Sequence, residues 1–229
     1  MNPLIIVLGI VIIVFLYYII QYYFFSVKSL AAKIHLNESP TDISSNVITN
    51  PSSALYTFGT WVYVNNFTTC TLFSYVTTPI ASPDPRLFSL ELGTNNNPTL
   101  RAIVKGAVEQ STINITNNFP IQKWVHVLIS VDTTYADCYL DGKLIVSRSL
   151  SANQITKSPD KIPYITFKQS NSSSPDIYLA KVTRWDHPLD PQSVFTEYSS
   201  GNGLSNSDFA LGLTVTNDDT TKNYKIYSN

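Results

Sequence analysis

Hydrophobic positions follow two different rules along this chain. From Leu4 to Phe25 they are nearly continuous, interrupted by one strongly polar side chain, Gln21, and no Asp, Glu, Lys or Arg occurs before Lys28. A helix of about 22 residues at 1.5 Å per residue is roughly 33 Å long, enough to cross a hydrocarbon core of about 30 Å. In lipid only a helix satisfies every backbone polar group within one segment, so the run predicts a transmembrane helix over 4–25. Tyr17, Tyr18, Tyr22, Tyr23, Phe24 and Phe25 suit its interfacial end. A cleavable signal peptide is the competing reading, with Ser29-Leu30-Ala31 as a cleavage-like site. The apolar run is longer than such peptides use, and no basic region precedes it. Lys28 and Lys33 after the segment imply that the large C-terminal part lies on the cytosolic side.

Residues 26–53 read as a tether rich in Ser, Asn, Thr and Pro, with one apolar patch, Ile43 to Ile48, that could form a first strand. From residue 54 the apolar positions alternate with period two in short bursts. Phe58–Val64, Thr71–Val76, Leu87–Leu92, Thr99–Val104 and Gln110–Ile115 are strand-like and separated by turn residues. Trp124–Val131 is apolar almost throughout, which predicts a central strand covered on both faces. Cys138–Val146 is a hairpin centred on Asp141-Gly142, a pair that accepts the positive φ of a type I′ turn. Tyr164–Lys168 and Ile177–Trp185 come next. Asp190 as N-cap and Pro191 at the first position then start a short helix that Gly201 or Gly203 ends. A last hairpin runs from Phe209 to Tyr227. The pattern predicts an all-β sandwich or barrel over 54–229.

Composition narrows the function. Fifteen basic residues against sixteen acidic ones, a formal net charge of −1, leave no excess to neutralise a phosphate backbone, so nucleic acid is not expected as a partner. Two distant cysteines, Cys70 and Cys138, do not make a disulfide framework and read as small buried residues.

Several fragments together resemble the concanavalin A-like, or laminin G-like, jelly-roll family. They are Phe58-Gly59-Thr60-Trp61-Val62-Tyr63-Val64, Trp124-Val125-His126-Val127 with Ser130-Val131-Asp132, Tyr139-Leu140-Asp141-Gly142-Lys143-Leu144, and Ile177–Val182 with Pro188–Val194. The resemblance implies a concanavalin A-like jelly-roll β-sandwich with one short helix behind the membrane anchor. The combination of anchor, Asn/Thr-rich body and final hairpin is also similar to virion membrane or minor capsid proteins of large icosahedral DNA viruses. That implies a membrane-anchored structural protein joining the internal membrane to capsid proteins. A lectin-like, carbohydrate-binding module is the alternative.

Candidate chemistry is sparse. Glycosidases of this superfamily carry two carboxylates with an intervening Asp on one strand. None of Glu38, Glu91, Glu109 and Glu197 has an Asp two residues on, so no catalytic residue is expected and the protein reads as a non-enzyme. Glu91 reads as an outward-facing, solvated strand charge. His35, His126 and His187 lack zinc-ligand spacing, and His126 reads as a hydrogen-bonded histidine within a sheet. Asp84, Asp160 and Asp176 lie in loops where a calcium ion could bind, although turn-forming Asp is commoner, so no metal or cofactor is expected. Sugar binding would need an exposed aromatic platform, for which Tyr75, Tyr135, Tyr164 and Tyr178 are the candidates; Trp61, Trp124 and Trp185 are expected in the core.

Overall fold

The computed structural model describes residues 8–17, 29–38, 40–77, 86–94, 97–105, 110–150, 163–167, 175–204, 211–217 and 220–226. Two antiparallel sheets face each other. One has six strands in the order β1 (Ala31–His35), β11 (Ile177–Trp185), β2 (Tyr56–Val64), β7 (Trp124–Val131), β8 (Tyr135–Leu140) and β9 (Lys143–Ser149). The other has five, in the order β10 (Pro163–Thr166), β3 (Cys70–Thr77), β4 (Arg86–Thr94), β5 (Pro98–Lys105) and β6 (Gln110–Thr116). A separate hairpin joins β12 (Leu211–Asn217) to β13 (Thr220–Ile226).

Alternation decides what lies between the sheets. On β2, Tyr56, Phe58, Val62 and Val64 point inward and are buried, as are Val125, Val127, Ile129 and Val131 on β7. Phe73, Tyr75, Phe88, Leu90 and Leu92 meet them from the opposite sheet. Cys70 and Cys138 are both free thiols in this core, and burial pushes each up to about 12, which keeps them protonated and inert.

The outer face of the six-stranded sheet is only partly roofed. Its cover is the helix α2 (Pro191–Ser199), which starts as expected: the Asp190 carboxylate accepts from the backbone N–H groups of Gln192 and Ser193. Val194 of α2 packs with Leu128, Tyr139 and Trp185. Gly59 makes room there, because a Cβ would stand 3.0 Å from the Trp185 ring and the ring would have to shift. The Asp141-Gly142 turn has φ of 47° and 74°, as the hairpin pattern predicts. Tyr198 of α2 lies against Gly142, where a Cβ would meet its ring carbon at 3.0 Å.

The segment expected as a tether is partly folded. Ala31–His35 forms the edge strand β1, paired with β11, and Ile34, Leu36, Ile43 and Ile48 enter the core. The apolar patch makes one bridge, Ile43 to Ile165, and a 3₁₀ turn at Ser45–Val47 instead of a strand. Polar anchors explain the docking. The Arg184 guanidinium donates to the carbonyls of Thr49 (2.8 Å) and Asn50 (3.4 Å), and the Tyr75 hydroxyl donates to that of Pro51. These backbone groups therefore find partners inside the sandwich and not in water.

Of the expected membrane span, residues 8–17 are described and form a helix, α1, whose large apolar side chains are all exposed. No helix among the described residues is long and apolar enough to cross a membrane. The remaining parts of 4–25 lie outside the described residues.

Candidate functional site

The uncovered part of the six-stranded sheet carries a row of rings. The pairing places His35 of β1 opposite Tyr178 of β11, Tyr178 opposite Tyr63 of β2, and Tyr63 opposite Trp124 of β7. Four directly registered residues on adjacent strands share one face, because side chains at paired positions project the same way. The His35 and Tyr178 rings stack with centroids 4.2 Å apart and planes 7° from parallel. Tyr178 and Tyr63 are 6.3 Å apart at 66°, and Tyr63 and Trp124 are 5.5 Å apart at 50°. All four are partly exposed.

The neighbouring row is closed. Trp61 lies beside His126, and Tyr198 from α2 stacks on Trp61 at 5.6 Å. The boundary of the platform is therefore where the helix ends.

Polar groups flank the open row at the His35 end. Asp176 accepts from Asn65 Nδ2 through Oδ2 at 2.5 Å, and its Oδ1 lies 3.2 Å from His35 Nε2. Glu38 Oε1 lies 3.2 Å from His35 Nδ1, and Lys33 Nζ sits 5.6 Å from the Tyr178 ring centroid. At the Trp124 end, Lys123 Nζ is 4.0 Å from Asp141 Oδ2. The stacked His35 and Tyr178 rings turn their faces to each other, so the row offers their edges, the partly exposed Tyr63 and Trp124 rings and a border of hydrogen-bonding groups.

The structure sorts the sequence candidates unevenly. Tyr178 belongs to the platform, and Tyr63, Trp124 and His35 join it unforeseen. Trp124 is not core; Trp61 and Trp185 are buried, but beneath α2 and not between the sheets. Tyr75 points inward among Tyr56, Phe58 and Phe88, so it cannot contact a sugar. Tyr164 lies on β10 of the other sheet. Tyr135 lines a separate cavity of about 320 Å³ beside the N-terminus of α2.

Glu91 differs most from expectation. It faces outward on the five-stranded sheet, but it is buried. Its Oε1 accepts from Arg86 (3.0 Å) and Ser89 (3.1 Å), and its Oε2 accepts from Arg101 (2.9 Å). Arg101 sits directly opposite on β5, so cross-strand pairing supplies the partner. Glu197 pairs with Lys181 at 2.7 Å on the opposite side of the sandwich, so the described glutamates do not assemble a carboxylate pair. Glu109, Asp84 and Asp160 lie outside the described residues.

His126 also departs from its reading. It is buried, its Nδ1 has no hydrogen-bond partner, and burial, with Lys181 nearby, lowers its pKa to about 4. His187 is exposed beside Asp186. Among the described residues no group of three or more His, Cys, Asp or Glu side chains could hold a metal ion.

Two opposed sheets with one short covering helix and a ring-bearing outer face define a jelly-roll module of the lectin and glucanase type. Residues 38–195 match the concanavalin A-like lectin/glucanases superfamily, laminin G type, and the chain belongs to that family. Among solved structures it is similar to a heptameric serum-amyloid-P-like pentraxin from Limulus polyphemus, with a TM-score of 0.54 and 15% identity over 77% of this chain and 86% of that one. The binding domain of botulinum neurotoxin serotype G gives a TM-score of 0.53 and 16% identity over 69% of this chain and 39% of that one. The binding domain of botulinum neurotoxin DC, solved in complex with rat synaptotagmin II, gives 0.50 and 18% over the same shares. This chain thus spans about two fifths of the neurotoxin binding domains it matches. At these identities the likeness shows the fold alone. A search of curated proteins finds no match.

Proposed function

We propose that this protein is a non-catalytic, carbohydrate-binding module held at a membrane by its N-terminal segment. The observation that carries the reading is the registered row His35–Tyr178–Tyr63–Trp124, left open by α2 and edged by Asp176, Asn65 and Glu38. A sugar meets the Tyr63 and Trp124 rings with its CH groups, while its hydroxyls pair with the polar side chains at the His35 end. Joining the module to a bilayer raises the effective concentration of surface glycans, so weak individual contacts suffice. No observation at the row favours a capsid protein over a glycan, and the proposal commits to the glycan.

The test is a glycan panel probed with the full chain in lipid nanodiscs. Tyr63→Ala removes one of the two central rings and should weaken binding about tenfold, a loss of roughly 1.4 kcal/mol in line with aromatic contact energies. Tyr63→Phe should retain most of the affinity. Binding that ignores Tyr63→Ala, or no glycan bound at all, contradicts the proposal.

The anchor rests on the uncharged run from Leu4 to Phe25 and on the exposed apolar side chains of α1. A helix apolar on every side belongs in a core or in lipid, and the large apolar side chains of α1 are exposed. Ile12→Arg places a charge near the middle of the run and should release the protein from membranes in a high-pH carbonate wash, whereas the native chain stays with the pellet. Equal retention of both proteins would contradict a spanning helix at that depth.

A further inference from the structure

We infer that the cavity beside the N-terminus of α2 is a binding site for a guanidinium group. Alternation on β8 builds one wall: Tyr135, Asp137 and Tyr139 take the outer face, while Ala136 and Cys138 point into the core. Asp132 and Asp190 complete the lining with Pro188 and Pro191, around a volume of about 320 Å³. The loop that makes the opposite wall is fixed to the sheet. The Leu189 N–H donates to Ser130 Oγ (3.0 Å) and Thr57 Oγ1 (3.1 Å), and Thr57 Oγ1 donates to the His187 carbonyl at 2.9 Å. Ser130 and Trp124 lie near opposite ends of β7, roughly 20 Å apart at about 3.4 Å per residue. The cavity is therefore separate from the ring row, and the inference does not depend on the carbohydrate reading.

Charge and open hydrogen-bonding groups select the ligand. Three carboxylates line the cavity with no Lys, Arg or His beside them, and among the described residues none of the three pairs with a cation. Asp132 Oδ1 accepts from the N–H groups of Thr134 and Tyr135, both at 2.6 Å. Asp190 accepts from the N–H groups of Gln192 and Ser193 and from Ser193 Oγ. Asp137 has no such support: its Oδ1 is buried without a partner. Tyr139 points the same way. It is 2% exposed and lines the cavity, yet its hydroxyl has no hydrogen-bond partner among the described residues. Burial first, then the charges of Asp137 and Asp190, raises its pKa, so the hydroxyl lies in the field of both carboxylates. Buried polar groups left open in a cavity are matched by a ligand that supplies the hydrogen bonds. The carboxylates do not converge as a metal ion requires, since among the described residues no three such groups could hold one. A guanidinium suits a dispersed set, because its five N–H donors fan out in one plane and reach acceptors on several sides. Its face also stacks on an aromatic ring, and Tyr135, 49% exposed, offers one.

Titration calorimetry of the full chain in phosphatidylcholine nanodiscs with N-acetyl-arginine amide tests this, with N-acetyl-lysine amide and calcium chloride as comparators. The arginine compound should bind about tenfold or more tighter than the lysine compound, whose ammonium is a point charge, and calcium should not displace it. Asp137→Asn removes the unpaired charge and should weaken binding about tenfold. Tyr139→Phe keeps the ring against Leu128 and Val194 and removes only the hydroxyl, for a loss of about threefold to fivefold. Tyr135→Ala changes an exposed side chain and leaves the core intact, so its expected loss of about threefold keeps the test decisive even where Asp137→Asn fails to fold. A glycine-flanked arginine peptide separates two sources of the same group. Tighter binding of the peptide marks the side chain of a protein partner, tighter binding of the small compound marks a free metabolite, and either supports the site. No arginine binding, equal affinity for lysine, displacement by calcium, or affinity unchanged in both Asp137→Asn and Tyr135→Ala overturns it.

Discussion

Phe58→Ala should cost about 3–5 kcal/mol, the range for truncating a buried aromatic side chain. Phe58 is 1% exposed and touches both sheets. It stacks on Phe88 at 4.9 Å and meets Tyr56, Phe73 and Tyr75 edge-on at 5.4, 5.4 and 5.5 Å. The Arg184 guanidinium lies 6.0 Å from its ring centroid and closer still to Tyr75, at 5.3 Å. Truncation therefore opens a cavity and also strips one aromatic wall from a largely buried cation. Relaxation is restricted, because Arg184 is held by the Thr49 and Asn50 carbonyls while Tyr75 is held by that of Pro51. A domain stable by about 5–15 kcal/mol would lose a large part of its margin. Urea unfolding checks it: the midpoint should fall with little change in slope. A midpoint within the error of the native protein would mean that this cluster does not hold the two sheets together.

That cluster also shows what is legible in the sequence and what is not. Short period-two bursts announce β2, β4 and β5, a nearly continuous apolar run announces β7, and Asp141-Gly142 announces the β8–β9 hairpin, because each signal is local. β1 is different: Ala31–His35 buries one side chain fully, Ile34, so an edge strand carries almost no alternation to read. Arg184 ends as the cation that fixes the 49–51 loop, a role visible only once β11 lies over the aromatic cluster. Tyr75 misleads for a related reason. Register shifts between Thr71 and Phe73 and between Tyr75 and Val76 break the simple count of inward and outward positions on β3.

The ring row is nearly invisible in sequence because its members come from positions 35, 63, 124 and 178. Each looks like an ordinary strand aromatic, and only pairing register brings them together. Tyr178 is the one member that sequence reasoning selects. Glu91 shows the same limit from the other side: alternation puts it on the correct outer face, but Arg86 and Arg101, which convert a solvated charge into a buried ion pair, are defined by the β-ladder. Double-mutant cycles between neighbouring rings would measure how far the row acts as a unit.

Acid should destabilise the domain as the pH falls from about 6.5 towards 4, and His126 is the cause. In the fold its pKa is lowered to about 4, first by burial and then by the positive charge of Lys181; in the unfolded chain it returns to about 6.5. The unfolded state therefore binds more protons than the folded one between those values, and stability rises with pH across that window. The contribution of a neutral, buried His126 is complete above about pH 6.5 and is lost progressively as pH falls to about 4, a difference of roughly 3 kcal/mol for a shift of this size. Asp186 and Asp190 are held below the ordinary carboxylate range, by hydrogen bonds from His187 and from Ser193 respectively, so their contributions fade at lower pH and leave the His126 window distinct. Protonation adds a charge beneath Tyr198, whose ring lies 6.0 Å from that of His126, close to the Lys181–Glu197 ion pair. The C-terminal turn of α2 should loosen first and show faster amide exchange at pH 5 than the β2–β7 ladder. His126→Phe keeps a ring in the slot and removes the titration, so its stability should be nearly flat between pH 6.5 and 4. A native-like slope in that variant would assign the acid sensitivity to another group.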